Sequence, residues 1–391
     1  MRRRSRMIYV FDRCCRPAPG CNLWQYSCGT AAPLCELVSQ ASMFVSKDRT
    51  TTMLPSTMKP KLLCALLILI FVSRVHAQTT PAPKPLDLLK HRLETISQGV
   101  SADWGVYIKS LDTGEEIAIN ADAVMDTMSA IKIPLLVDVY RQVDAGKINP
   151  ADRIVMKTAD KRFGTGVLRT LDEGVNLSFH DALMLMIIQS DNTGTDMAFA
   201  RAGGPAHVTQ TMHAMGLNSV VATGTTFDWF RALTAAGDPA YANYPPEELF
   251  TKGFPEKLTD DKVEKFHFDG KHPFGLSSAR DMGKLLEMMA NNKAASEKSC
   301  KEMLHMMGLQ QMRTRIPKFI EDDANTPHKT GDFPPYIAND VGLIETPAGR
   351  VVVVFFNAHH RGFYSELEDA DARMSEQVWA YFNYRGKTEG K

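Results

Sequence analysis

The chain has 391 residues, 45 Lys+Arg against 45 Asp+Glu, and 44% hydrophobic residues. That length allows one large or two modest domains, and a formal net charge of zero gives no electrostatic case for nucleic acid. Five of the seven cysteines fall in the first 35 residues, so no disulfide framework can hold the rest.

Residues 1–57 carry Arg2, Arg3, Arg4 and Arg6 together with Cys14, Cys15, Cys21, Cys28 and Cys35, and sustain no helical or strand period. Such cysteine density admits a small disulfide or metal module. The preferred reading is an upstream extension, non-native or disordered, with translation starting at Met53 or Met58. From Met58 the pattern changes to Lys59 and Lys61, an apolar run Leu62 to Val72, and Val75-His76-Ala77. A basic start, an apolar core and small residues before a cut make a secretory signal peptide over 58–77. Cleavage after Ala77 would export a mature chain beginning at Gln78, to the periplasm or the medium. The run is too short to span a bilayer comfortably, so no membrane span is expected in the mature chain. Cys64 sits inside the run, which argues against a lipoprotein anchor. If the extension is translated, the same segment becomes internal and reads as a short anchor. Residues 1–77 hold 11 of the basic and 3 of the acidic residues, leaving 34 against 42, a net charge of −8. Only Cys300 remains, and about 314 residues can bury a core without staples.

The Pro-rich stretch 78–85 reads as a linker before a domain spanning 86–391. Leu86, Leu88, Leu89, Leu93 and Ile96 recur at helical spacing and predict a first helix to Gly99. Trp104–Leu111 and Glu116–Ile119 flank Asp112-Thr113-Gly114, a hairpin signal. A helix is expected from near Ser129 to Gly146, with Ile133, Leu136, Val139, Tyr140 and Val143 on one stripe. After a loop-rich stretch 149–179, helices are expected over 180–188, 193–202 and 206–215, and later over 277–291 and 294–309. Val341–Thr346 and Arg350–Asn357 flank Pro347-Ala348-Gly349 as a second hairpin, and Tyr364–Tyr384 is a closing helix. The order implies an α+β protein, an α/β/α sandwich. Its antiparallel, mixed-order sheet lobe comes from both chain ends, and an all-helical lobe lies between. A site at the seam of the lobes would collect residues from both.

Three short stretches carry chemistry. Ser129 and Lys132 are three apart, which on a helix puts a hydroxyl beside an amine able to take its proton. Ser190-Asp191-Asn192 follows the apolar run 182–188, and Lys329-Thr330-Gly331 precedes strand-like segments. Each alone has a bland reading: chance spacing, a helix cap, a surface turn. Met184, Met186 and Met197 read as core filler. His328, and the pair His359-His360, lack partners at ligand spacing, so no metal and no cofactor is expected.

Taken together and in this order, the three stretches resemble the serine β-lactamase and penicillin-binding protein superfamily, the class A β-lactamases most closely. The likeness runs from Leu86 to Tyr384. It includes Gly164-Thr165-Gly166-Val167-Leu168, the extension Thr193-Gly194-Thr195, and Asn339-Asp340. The resemblance implies hydrolysis of a β-lactam through an acyl-enzyme on Ser129, with Lys132 as proton partner and Ser190 as relay to the leaving nitrogen. Asn192 would hold the substrate amide, and Lys329 and Thr330 would face its carboxylate. An arginine, Arg313 or Arg315 with Arg315 preferred, would reach that carboxylate too. The oxyanion would lie between the Ser129 N–H and an amide after Gly331. Pro335 has no N–H, which leaves Tyr336. Partners are then a small β-lactam substrate and no nucleic acid, with the protein a monomer. The alternatives are a D,D-peptidase or esterase-like relative, or a penicillin-binding module that is acylated without turnover.

One interval departs from the family. Ser190 and Lys329 are 139 residues apart, longer than usual, and the excess lies in about 218–276. The family's deacylating glutamate belongs there, but Thr225, Thr226, Phe227 and Asp228 stand where counting would put it. Glu247 or Glu248, in Pro245-Pro246-Glu247-Glu248-Leu249, is one candidate base, Asp228 a second, and no base at all a third.

Overall fold

A computed structural model describes residues 84–389, apart from 322, 323 and 347. The extension, the signal-type segment and nearly all of the linker therefore lie outside the described residues.

A five-stranded antiparallel sheet, in the order β2-β1-β10-β9-β8, is built from both ends of the domain. Its strands are β1 (Asp103–Ser110), β2 (Glu116–Ile119), β8 (His328–Phe333), β9 (Ile337–Thr346) and β10 (Gly349–Ala358). The two-residue period of a strand sends alternate side chains to opposite faces. Trp104, Val106 and Ile108 of β1, with Val351, Val353 and Phe355 of β10, meet Leu89 and Leu93 of α1 (Pro85–Gln98). On the same face Leu367, Met374 and Val378 come from the terminal helix α11 (Tyr364–Glu389). The opposite face of β1 carries Tyr107 and Lys109 toward the helix at Ala279–Ala290, where Lys109 Nζ bonds Glu287 Oε2 at 2.6 Å. Helix, sheet and helix make the three expected layers. β10 is apolar on both faces because both are covered.

The helical lobe is organised by α2 (Lys132–Asp144), in which every residue from Lys132 to Tyr140 is buried. A 3₁₀ turn, Met128–Ile131, leads into it, after the short strand β3 (Val124–Asp126). Beyond the small ribbon of β4 (Arg153–Val155) and β5 (Asn176–Ser178), the capping box of Ser178 and Asp181 starts α3 (Phe179–Ile188). Next come α4 (Asn192–Ala202) and α5 (Pro205–Ala214). The interval that departs from the family is folded. After β6 (Val221–Ala222) it holds α6 (Thr226–Gly237), α7 (Pro246–Lys252) and α8 (Asp260–Phe268). The strand β7 (Gly275–Ser278), α9 (Ala279–Ala290) and α10 (Glu297–Gly308) complete the domain. Among the described residues, no helix is long and apolar enough to cross a membrane.

Phe355 lies fully buried at the centre of β10, against the α1/α11 layer. Phe355→Ala should cost about 3–5 kcal/mol. It should be read as a lowered urea midpoint at unchanged slope; a loss below about 1 kcal/mol would mean the layer does not hold the sheet lobe.

Candidate active site

The turn bearing Ser129 is fixed from three sides before its hydroxyl is considered. The half-buried Asp126 carboxylate accepts from Met128 N at 2.9 Å and Phe274 N at 3.3 Å. Burial still pushes this carboxyl up to about 6. Thr127 N donates to Gly275 O at 2.8 Å, and Asn339 Nδ2 of β9 donates to Asp126 O at 2.9 Å. Met128 adopts φ +44°, strained for a side chain of its kind. The third side is β8. A Cβ on Gly331 would meet the Thr127 carbonyl and stand 3.1 Å from the amide nitrogens of Ser129 and Ala130, so only glycine lets the strand run this close. Ser129 itself is half-buried, and Lys132 follows it by three residues through a 3₁₀ turn, where such positions eclipse.

Lys132 is fully buried, yet its amine has three oxygen partners. They are Ser190 O at 2.8 Å, Asn192 Oδ1 at 2.9 Å and Ser190 Oγ at 3.0 Å. Lys329, also buried, reaches the same hydroxyl: its ammonium donates to Ser190 Oγ at 3.0 Å and to Thr330 O at 2.7 Å. One hydroxyl therefore lies between two lysine nitrogens. Burial, and then the charge of Lys329, hold Lys132 well below the ordinary lysine range. Burial brings Lys329 down to about 8, against the opposing pull of Asp332 and Asp340. Ser190 sits at φ +57°, and Asp191 beside it caps α4, accepting from Gly194 N and Leu168 N at 2.9 Å each. Gly166, at φ +108°, has no room for a Cβ against Asp191, which is how the Gly164–Leu168 stretch packs onto the second motif. Thr165 Oγ1 completes the contact by donating to Ser190 O at 2.7 Å.

β8 supplies an amide that the sequence reading did not assign. Leu343 N of β9 donates to Pro327 O, so the odd-numbered residues of β8 turn their backbone groups to the ladder. Even-numbered residues face the open edge, where Thr330 O accepts from Lys329. The Asp332 N–H faces that edge as well, one residue beyond the contact of Gly331 with Ser129. The register along the strand carried the signal, but only once the strand was known to include Lys329-Thr330-Gly331 and not merely to follow it.

Residues 88–382 match the β-lactamase enzyme family. The chain belongs to that family. It is 28% identical over 141 residues to the extended-spectrum β-lactamase PER-1 of Pseudomonas aeruginosa, covering 35% of this chain and 45% of that protein. It is 24% identical over 140 residues to a β-lactamase of Rhodobacter capsulatus, covering 36% and 47%. The chain thus spans about half the length of the curated relatives it matches. Among solved structures, a β-lactamase from Sphaerobacter thermophilus DSM 20745 superposes with a TM-score of 0.59 at 26% identity, over 76% of this chain and 96% of that one.

Within this family frame, Ser129, Lys132, Ser190, Asn192, Lys329, Thr330 and Gly331 come together at the seam, whereas Tyr336, Arg315 and the candidate bases Glu247, Glu248 and Asp228 do not. The Tyr336 N–H, expected at the oxyanion, donates to Phe333 O at 2.8 Å in the turn after β8, and its ring stacks on His267. Arg315, expected at a substrate carboxylate, is fully buried. It donates to Asn339 O at 2.7 Å, to Tyr364 OH at 2.7 Å and to the Asp332 carboxylate. Arg313 is the exposed arginine of the two, next to Met312, whose sulfur accepts from Thr330 Oγ1 at 3.4 Å. Glu247 and Glu248 are exposed in the first turn of α7, where Glu248 pairs with Lys252. Asp228 closes the α6 capping box with Thr225 and pairs with Arg231. Beside Asn192 the departing interval presents the buried Thr226, whose hydroxyl donates to Asn192 O at 3.3 Å, and an aromatic ring. Phe230 lies against Gly164 and packs edge-on to Phe163 at 5.8 Å, while Trp229 meets Phe333 at the end of β8.

Gly331→Ala should either push β8 off the Ser129 turn or unfold the seam. A cost of about 1–3 kcal/mol is expected, with reactivity at Ser129 lost. Calorimetry with a serine-reactive probe checks both; full reactivity would show that the strand does not need to pass so close.

Proposed function

We propose that the protein is an exported serine hydrolase of the class A β-lactamase type, which opens a β-lactam amide through an acyl-enzyme on Ser129. The observation that carries this reading is the Ser190 hydroxyl held 3.0 Å from each of two buried lysine nitrogens. A neutral Lys132 amine has two N–H groups for its two carbonyl-oxygen partners and one lone pair left to receive a proton. Ser129 Oγ adds to the amide carbonyl carbon as its proton passes to Lys132. The oxygen that gains the charge lies between the N–H groups of Ser129 and Asp332. The C–N bond then breaks, and the proton returns through Ser190 Oγ to the leaving nitrogen. Lys329, still charged below about 8, supplies the positive field around Ser190. Water afterwards cleaves the ester and frees Ser129. The basic-then-apolar pattern of Met58–Ala77 supports an exported protein.

A second reading concerns the last step. Of the three carboxylates considered as deacylating base, Glu247 is exposed, Glu248 pairs with Lys252 and Asp228 caps α6, while Phe230 stands beside Asn192. That favours slow release of the acyl group, as in a penicillin-binding relative, over rapid turnover.

Intact mass of the protein sampled over time with excess penicillin tests both readings. A penicillin-mass adduct should appear quickly, be absent in Ser129→Ala, and then decay slowly while penicillin continues to be consumed. No adduct in the unaltered protein would sink the proposal. The acylation rate constant should also be bell-shaped in pH. On the alkaline side it falls as pH rises through about 8, because Lys329 loses the proton that makes it a cation. On the acid side it falls as Lys132 gains a proton and can no longer act as a base. A stopped-flow pH profile with no alkaline limb would remove Lys329 from the charge-bearing role.

A further inference from the structure

Behind the open edge of β8, the guanidinium of Arg315 is closed in by the protein's own groups. Nη1 donates to Asn339 O at 2.7 Å; Nη2 donates to Asp332 Oδ1, to Tyr364 OH at 2.7 Å and to Glu368 Oε1 at 3.3 Å. Tyr364 OH in turn donates to Asp332 Oδ1. Arg315 has no exposure at all, whereas the Asp332 side chain keeps 16%. Asp332 is therefore the member of the pair that reaches solvent. Arg315 Nε is buried with no hydrogen-bond partner. The side-on fork of Nε and Nη2, shaped for both oxygens of one carboxylate, is thus met by Asp332 at one nitrogen only. Burial raises the Asp332 carboxyl, but the Arg315 charge and the Tyr364 hydroxyl outweigh it and keep the group ionised.

Asp332 also has a fixed place relative to the reacting serine. It directly follows Gly331, whose missing side chain faces the Ser129 amide, and it shares a strand face with Thr330. An anionic substrate group seated along this edge meets a carboxylate where a free guanidinium would have attracted it.

We propose that Asp332 is a specificity residue. It occupies Arg315 as an internal carboxylate and biases the site toward substrates that are neutral at the position beside Thr330, esters or amides, over those carrying a free carboxylate there. The inference rests on the acyl-enzyme reading above. Glu368, from α11, adds to the bias as a second carboxylate on the same guanidinium.

The test compares acylation by penicillin G with acylation by its methyl ester, followed by intact mass, in the full chain and in variants. In the unaltered protein the ester should react at least as fast as the acid, a comparison that needs no variant to fold. Asp332→Asn keeps the shape and removes the charge; it should raise the acid-to-ester rate ratio about tenfold, a ratio that cancels any change at the Asp332 amide common to both compounds. Asp332→Ser should act in the same direction. Adding Arg315→Gln to Asp332→Asn should cancel the gain, which loosening of the strand alone would not do. A tenfold preference for the acid in the unaltered protein, or an acid-to-ester ratio unmoved by Asp332→Asn while the ester still reacts, overturns the inference and leaves the acyl-enzyme reading standing. Reaction with neither compound overturns both.

Discussion

Two lysines buried against one hydroxyl set the terms for the rest of this molecule. An ammonium moved out of water costs several kcal/mol unless its hydrogens are all received. Here two such groups lie close enough that the charge of one lowers the proton affinity of the other. The fold responds with oxygen acceptors. Ser190 gives both its carbonyl and its hydroxyl, Asn192 its amide oxygen, and Thr330 its carbonyl. Bringing both oxygens of Ser190 to bear requires the left-handed backbone at that residue. That conformation is held by the Asp191 cap and by glycines at 164 and 166 that leave room for it. The residues flanking the lysines are thus the means by which the lysines are tolerated, and the same arrangement leaves one amine with a reduced hold on its proton.

How much of this was legible in the sequence divides along physical lines. Ser129 with Lys132, and Ser190 with Asn192, are local: their relative placement follows from one turn of helix or one cap, so spacing alone suffices. The α+β layering was legible for a related reason, since the unbroken apolar runs of β10 and of the start of α2 mark elements covered on every side. Arg315 was misassigned because arginine identity says nothing about which anion it meets. That depended on Asp332 arriving on a neighbouring segment through the sheet register. Tyr336 failed for a related reason. Counting past Gly331 could not show that β8 already contained the motif, nor that the turn after it consumes the tyrosine amide.

The interval 218–276 resisted reading because its helices are short and their apolar residues serve a mixed purpose. Phe230 and Trp229 sit adjacent in sequence yet meet different partners, Phe163 on one side and Phe333 on the other. The segment is therefore tied to both the helical lobe and the end of the edge strand. Further along, His267 stacks on Tyr336, and Arg361 lies over Phe268 while pairing with Glu264. Aromatic contacts of this kind are directional but modest, about 0.5–1.5 kcal/mol each beyond burial. Their number, spread along three helices, gives the segment a fixed position, and the buried Thr226 ties it to the site through a hydroxyl that donates to Asn192 O at 3.3 Å.

Edge strand β8 divides labour between its two faces and its open side. Lys329 and Gly331 face the serine turn, and the even-numbered backbone groups line the open edge. Thr330 and Asp332 carry their side chains to the opposite face. A strand used this way cannot be tuned one residue at a time, because each side chain fixes the backbone group of the residue itself and thereby the geometry at the edge. Asp332 is the sharpest instance, since its amide borders the serine while its carboxylate is anchored to Arg315, Tyr364 and α11. The buried ion pair that neutralises Arg315 is thus also a clamp on the amide that borders Ser129. A change at Asp332 therefore acts on the Arg315 ion pair and on the edge amide together.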